Sequence, residues 1–172
     1  MKLSSTAILC ACLYFSIAIT VQPFGRYDDR STTGNENPPS SQARTKVEYL
    51  NPPNTSNRPF SEAVRVGEWL VLSGKLGTDS SGKLVTGGIK SETKQTIENI
   101  RSALEKYGSS LDDVTKCSVM LVDMKEWAEM NEVYTTYFKK GQMPARSAFG
   151  VSGLALNARV EIECWAVTKK SD

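Results

Sequence analysis

The chain has 172 residues, of which 40% are hydrophobic and 23% charged, which is enough for one well-packed domain and too few for two comfortable ones. It contains no histidine, which removes the commonest general base and metal ligand and excludes the Ser-His, Cys-His and zinc motifs that depend on it. Residues 47–172 hold equal numbers of acidic and basic side chains, a balance that weighs against binding to nucleic acid or to an anionic membrane.

The N-terminus predicts a targeting segment. Lys2 precedes an apolar stretch, 7–21, that is short for a membrane span and suits the core of a secretory signal peptide. We predict a signal peptide over residues 1–21, which directs the protein to the secretory pathway or out of the cell with no stable membrane association after cleavage. An uncleaved signal anchor is the alternative for this segment, and an organelle or the cytoplasm is the alternative destination.

The next segment, residues 22–46, is rich in Ser, Thr, Asn, Pro and Gly and has no apolar periodicity. This composition predicts a disordered linker. The second half of an organelle transit signal is the alternative. The remaining residues, 47–172, then form a single domain.

The first half of this domain begins with strand signals. Short runs of β-branched and aromatic residues predict strands at 47–50, 62–66 and 69–73. The last two are joined at Gly67-Glu68, as in a tight hairpin. Residues 75–88 predict a glycine-rich loop. An amphipathic helix follows and ends before Gly108. Its apolar positions are Ile89, Thr93, Ile97, Ile100 and Leu104.

The second half alternates strands and a helix. A central strand is predicted at 115–122, and Asp123 with Glu126 resembles the capping box of a second helix. Pro144 ends this unit, and two final strands at 145–151 and 159–168 flank a loop. The stripe predicted to be buried on the second helix consists of Trp127, Met130, Tyr134 and Phe138.

The predicted element order, βββαβαββ, indicates an α+β domain with a mixed sheet and both helices on one face. The other face of the sheet then needs cover, for which an oligomer interface is the natural source.

The last strand carries an informative alternation. One face holds Val160, Ile162, Cys164 and Ala166, and the other holds Glu161, Glu163 and Trp165. A face with two carboxylates and a tryptophan is neither plain core nor plain solvent. It predicts either a solvated edge in which Arg159 screens the glutamates, or a partly buried subunit junction in which one glutamate is functional.

Four cysteines are present, and Cys10 and Cys12 lie within the predicted signal peptide. Cys117 and Cys164 lie in apolar, strand-like runs, where a free cysteine usually behaves as a small core hydrophobe. A disulfide between them would suit an oxidising compartment. A catalytic thiolate is the least favoured alternative, because no neighbouring residue in the sequence resembles its base.

Six short motifs in the domain resemble, in order and spacing, those of the reactive intermediate deaminase family, Rid or YjgF/YER057c/UK114. They are PFSEAV at 59–64, LSG at 72–74, GGI at 87–89, NEVY at 131–134, PARS at 144–147 and VEIE at 160–163. One such motif would be weak, but six in register over residues 47–170 are a specific signal.

The resemblance implies a chorismate-mutase-like fold and a homotrimer with clefts between its subunits. It also implies hydrolysis of 2-imino acids, such as 2-iminopropanoate derived from 2-aminoacrylate and 2-iminobutanoate, to 2-keto acids and ammonia, without a metal or organic cofactor. The family's catalytic positions fall on Arg146, which binds the carboxylate, and on Glu161 and Ser73. Its binding positions also include Asn131, Phe60 in place of the usual tyrosine, and Ala148 in place of a frequent cysteine.

These residue types suit that chemistry. A guanidinium fork at Arg146 can hold a planar carboxylate through two charge-assisted hydrogen bonds. An iminium carbon is already electrophilic, so Glu161 need only orient or deprotonate a water, and burial that raises its pKa favours this role. Ser73 and the backbone N–H of Ala148 can hold the substrate or the water. Phe60 keeps the ring that packs on a small side chain but loses the tyrosine hydroxyl.

Two other functions stay open. One is a regulatory trimer that binds a carboxylate ligand at Arg146 without turnover. The other is a ribonuclease of the translation-inhibitor kind described for some relatives, against which the neutral domain and the missing histidine both argue.

Overall fold

The computed structural model describes residues 45–53 and 58–168. The predicted signal peptide, 1–21, and nearly all of the predicted linker, 22–46, lie outside these residues. No helix in the described part of the chain is both long and apolar enough to cross a membrane.

The described residues form a mixed seven-stranded sheet and two α-helices. The elements are β1 (Val47–Leu50), β2 (Ala63–Val66), β3 (Trp69–Leu72), β4 (Lys75–Leu76), α1 (Gly88–Lys106), β5 (Val114–Leu121), α2 (Trp127–Tyr134), β6 (Ala145–Gly150) and β7 (Val160–Val167). The strand order is β1-β2-β3-β7-β5-β6, and β4 pairs with β7. The α+β class and the predicted mixed sheet are thus confirmed.

Local chemistry explains the main turns. The β2–β3 hairpin turns at Gly67, whose φ of 60° lies in the left-handed region that glycine adopts without a Cβ penalty. The only parallel pair among the described strands is β5–β6, since the α2 crossover brings the chain back to the same end of the sheet. The segment predicted as a glycine-rich loop also contains β4, so that prediction was wrong for Lys75 and Leu76.

The core lies between the helices and one face of the sheet. All five apolar positions predicted on α1 are buried, and Gly108, with φ of 80°, follows the helix end as predicted. On β7 the predicted apolar face is buried as well. Its members are Val160, Ile162, Cys164 and Ala166. Cys117 lies in the same core, which agrees with its prediction as a core hydrophobe.

Helix α2 differs from its prediction at both ends. Asp123 caps a 3₁₀ turn by accepting a hydrogen bond from the Lys125 N–H, so the α-helix begins only at Trp127 and no capping box forms. The Trp127 side chain is 41% exposed and not part of a buried stripe. Phe138 lies beyond the helix and packs against Tyr134, with ring centroids 4.8 Å apart.

The sheet face opposite the helices is open and carries several large apolar side chains beside Glu161 and Glu163. Cross-strand pairing places Trp69, Trp165 and Phe149 on this face, together with Val47 and Tyr49 of β1. All five side chains are substantially exposed, Tyr49 at 73%. A row of large apolar side chains on one sheet face is unusual for a surface that only meets water.

Candidate functional site

Arg146 lies on β6, the edge strand next to β5, and its side chain points towards α2. Its Nη1 donates a hydrogen bond to Oδ1 of Asn131 at 2.7 Å. The guanidinium carbon lies 4.6 Å from the ring centroid of Tyr134 and 5.8 Å from that of Trp127. Stacking on aromatic faces and one hydrogen bond hold the fork in a fixed plane.

No carboxylate in the described part of the chain pairs with Arg146. The guanidinium is half-buried, and Asn131 uses only one of its N–H donors. An oriented, sheltered and unpaired guanidinium is well suited to bind a carboxylate ligand. The structure thus brings Arg146 and Asn131 together, and Ala148, two residues further along β6, lies on the same strand face.

Phe60 and Ser73 meet at a different place, an open cleft of about 730 Å³ between the β2–β3 region and α1. The Phe60 side chain is 56% exposed at this cleft. Ser73 Oγ donates a hydrogen bond to the Ser61 carbonyl at 2.7 Å, which leaves its oxygen lone pairs available as acceptors.

Glu161 lies beside this cleft, packed on Gly74. A Cβ atom at position 74 would lie 2.0 Å from Oε1 of Glu161, so the carboxylate occupies the space that the glycine leaves open. The Glu161 carboxylate has no hydrogen-bond or ion-pair partner among residues 45–53 and 58–168. Burial, and secondly the negative charge of Glu163, raises the pKa of Glu161 above the usual glutamate range. A carboxylate of this kind is suited to accept a proton.

Of the two alternatives for β7, the one in which Arg159 screens the glutamates is wrong, because Arg159 pairs with Glu126. Its guanidinium Nε donates to both carboxylate oxygens of Glu126, at 2.9 and 3.1 Å, and its backbone N–H donates to the buried Glu92 carboxylate at 2.8 Å. Glu161 is therefore left without a cationic partner within the described chain.

Arg146 and Glu161 lie on opposite faces of the sheet. Arg146 is the cross-strand partner of Cys117, which faces the helices, whereas Glu161 is the partner of Met120, three residues further along β5. Because side chains alternate along a strand, these two rows lie on different faces. One chain alone does not bring Arg146 and Glu161 to the same small ligand.

Comparison with known proteins identifies the family. Residues 51–168, more than half of the chain, match the model of the family described as endoribonuclease L-PSP. The chain belongs to the Rid family. Its fold is similar to that of yeast Mmf1, with a TM-score of 0.64 and 34% identity over 72% of this chain and 100% of that chain. A protein of the Rid family from Yersinia pestis, YyfA, has a TM-score of 0.66 at 29% identity, over 72% of this chain and 100% of that chain.

Curated Rid relatives are similar over about 110 residues. The mouse protein named 2-iminobutanoate/2-iminopropanoate deaminase is 44% identical, over 63% of this chain and 81% of its own length. The human protein of the same name is 40% identical, over 63% and 80%. A RutC family protein from Pyrococcus abyssi is 43% identical, over 63% and 85%. The relatives' names support the prediction of a deaminase-like hydrolase.

Within the Rid motifs, sequence reasoning missed the role of Glu62. Its carboxylate accepts hydrogen bonds from Lys75 and Lys106, each at 2.9 Å, and from the Tyr107 hydroxyl at 2.7 Å. Burial alone would raise its pKa, but these three hydrogen bonds outweigh burial and lower the pKa to about 2. Only its place in the PFSEAV motif pointed to Glu62, because its partners lie 13 to 45 residues away.

Glu62 ties β2 to β4 and to the end of α1, which predicts a specific pH dependence of stability. The folded-state pKa of about 2 lies below the unperturbed 4.5, so Glu62 contributes stability above pH 4.5 that is lost as the pH falls towards 2. We expect Glu62→Gln to lower the free energy of unfolding near neutral pH and to flatten its fall on the acid side. Urea unfolding at a series of pH values measures both effects.

Glu105→Gln is the matched control. Glu105 is exposed on α1, next to Lys106, and has no ion-pair partner in the described residues. Its stability profile should superimpose on that of the wild type. Parallel profiles for wild type and Glu62→Gln would contradict the role assigned to Glu62.

A second feature missed from the sequence is Leu156, in the loop before β7. It lines the cleft, is exposed and has a φ of 59°, a strained value for a leucine. No side-chain signal marks such a backbone conformation. Within the described ranges, no three His, Cys, Asp or Glu side chains cluster so as to hold a metal ion.

Proposed function

We propose that this chain hydrolyses small 2-imino acids, such as 2-iminopropanoate and 2-iminobutanoate, to 2-keto acids and ammonia. The observation that carries the proposal is the half-buried Arg146 guanidinium, which is oriented by Asn131 and two aromatic rings and has no carboxylate partner in the described chain. The names of the mouse and human relatives point to the same substrates.

The reaction adds water across the C=N bond and then expels ammonia. Arg146 binds the substrate carboxylate, and Glu161, whose raised pKa favours proton uptake, takes a proton from the attacking water. The C–O bond forms as the C=N electron pair moves to nitrogen. Glu161 then returns the proton to the nitrogen. The C–N bond breaks as the hydroxyl oxygen forms the C=O bond and gives its proton to Glu161, which releases ammonia and the 2-keto acid and passes that proton to solvent.

The neighbouring residues position these groups. The Ser73 oxygen accepts a hydrogen bond from the water or from the iminium N–H, since its own proton goes to the Ser61 carbonyl. The Phe60 ring, exposed at the cleft, packs on the short apolar side chain of the substrate. Without the tyrosine hydroxyl at position 60, proton transfer rests on Glu161.

The active form in this proposal is a homotrimer with its sites between subunits. Arg146 and Glu161 leave the sheet on opposite faces, so a shared site takes one from each of two chains. The exposed apolar residues of the open sheet face, including Trp69 and Trp165, supply the surface that a second chain would cover. Light scattering coupled to size exclusion should give three times the chain mass, and a monomer mass would contradict the shared site.

An oxidase-coupled assay tests the activity. An amino-acid oxidase generates 2-imino acid from alanine or 2-aminobutyrate, and the purified protein should speed the release of ammonia above the spontaneous rate. Equal rates with and without the protein, together with tight binding of a 2-keto acid, would favour a regulatory trimer instead. RNA cleavage that copurifies with the trimer and survives in a variant without deaminase activity would favour a ribonuclease.

A further inference from the structure

Cys117 and Cys164 form a pair in the core that the proposed reaction does not use. They are cross-strand partners on β5 and β7, and both are free thiols. Directly opposite residues of an antiparallel pair have Cα atoms about 4.5 or 5.5 Å apart, and both spacings fall in the range that a disulfide spans. The two sulfur atoms already lie 2.6 Å apart.

The surroundings of the pair limit what it can do. Cys117 is 0% exposed and Cys164 is 1% exposed, so neither thiol can act on a ligand in the cleft or on a solvent-borne substrate. Both face the helices and not the open sheet face, so the proposed trimer interface does not cover them. The reaction that remains possible for the two cysteines is the formation of a bond between their sulfur atoms.

We propose that Cys117 and Cys164 become a cross-strand disulfide as the chain folds, through exchange with a small-molecule disulfide of the glutathione type. A thiolate of one cysteine attacks the small disulfide, forming a mixed disulfide and releasing one thiol. The second cysteine then attacks the mixed bond and releases the other thiol. The two cysteines lose two electrons and two protons in total, and the small disulfide is reduced to two thiols.

Burial sets the time at which this exchange occurs. Exchange requires access of the small disulfide to a thiolate, and the folded core gives none. The bond thus forms while β5 and β7 are coming together and is afterwards protected by the core.

The disulfide would join residues 47 positions apart, closing a long loop in the unfolded chain. Closing a long loop removes more conformational entropy from the unfolded chain than closing a short one. The oxidised protein should therefore be the more stable form. For a domain of this size we expect the midpoint of thermal unfolding to rise by roughly 10 °C on oxidation.

Peptide mapping of the refolded full chain tests the proposal. The reduced protein is refolded from denaturant in buffer with oxidised and reduced glutathione, free thiols are alkylated, and the chain is cut with trypsin without reduction. Cleavage yields Cys117 in peptide 117–125 and Cys164 in peptide 160–169, whereas Cys10 and Cys12 fall in peptide 3–26. We expect peptides 117–125 and 160–169 to appear as one linked species that separates on reduction.

The double variant Cys117→Ala/Cys164→Ala is the control for the stability effect. Its unfolding midpoint should be the same in oxidising and reducing buffer, whereas that of the wild type should differ. Recovery of both wild-type peptides alkylated, or linked to glutathione or to peptide 3–26, would overturn the proposal. If the double variant fails to fold, the peptide map of the wild type still decides, because it does not use that variant.

Discussion

Replacing Arg146 by alanine is expected to lower kcat/KM for 2-imino acid hydrolysis by roughly 10²- to 10⁴-fold. The reason is the loss of two charge-assisted hydrogen bonds to the substrate carboxylate, each contributing about 1.5–3 kcal/mol in a sheltered site. The oxidase-coupled release of ammonia measures the effect. Asn131 fixes the plane of the guanidinium, so Asn131→Ala should lower kcat/KM by a smaller factor in the same assay.

Two further variants serve as controls. One separates the effect of the bidentate guanidinium geometry from that of its positive charge, and the other tests whether the loss of any arginine lowers activity. Arg146→Lys keeps the charge but not the bidentate geometry, and we expect an activity between wild type and Arg146→Ala. Arg101→Ala removes an arginine that pairs with Glu98 on α1, and it should leave kcat/KM unchanged. Wild-type activity in Arg146→Ala would contradict the role of this residue as the carboxylate anchor.

Glu161→Gln is expected to lower kcat by roughly 10²- to 10⁴-fold with little change in KM, because the general base is lost and the carboxylate anchor is kept. The same variant should lose the acid limb of the pH profile. A base must be ionised to act, so the wild-type rate should be full above the raised pKa of Glu161 and fall as the pH drops through it. The midpoint of that acid limb should lie above pH 4.5, the pKa of an ordinary glutamate.

Glu163→Gln is the matched variant for this pH dependence. The negative charge of Glu163 is one cause of the raised pKa of Glu161, so its removal should shift the acid limb to lower pH while leaving the plateau rate close to wild type. The measurement is kcat/KM against pH with the coupling oxidase in excess at every pH. An acid limb that stays in place in both variants would assign the limb to another group.

Local patterns predicted much of the fold. The helical spacing from Ile89 to Leu104 and the alternation along β7 each report directly on burial, because one apolar face must meet the core. The two-residue strand β4 has no such period, and only pairing with β7 defines it. The exposure of Trp127 has no local signal either, because helical spacing alone places this residue in line with Met130 and Tyr134.

For the candidate site, motifs predicted which residues matter but not how they are arranged. Arg146 and Glu161 each lie in a short sequence motif. Their placement on opposite faces of the sheet, however, follows from the register of β6 and β7 against β5. The pairing of Arg159 with Glu126, 33 residues away, is likewise a tertiary contact. Contacts of this kind depend on the assembled sheet, and no pattern along the chain reports them.

Subunit complementation tests the shared site most directly. Arg146→Ala and Glu161→Gln chains are unfolded, mixed in equal amounts and refolded together, and 2-imino acid hydrolysis is measured beside wild type treated in the same way. If each site takes Arg146 from one chain and Glu161 from another, random trimers regain about a quarter of wild-type activity, because a quarter of the junctions combine two intact residues. A mixture no more active than the separate variants, with wild type recovering fully, would contradict a site shared between subunits.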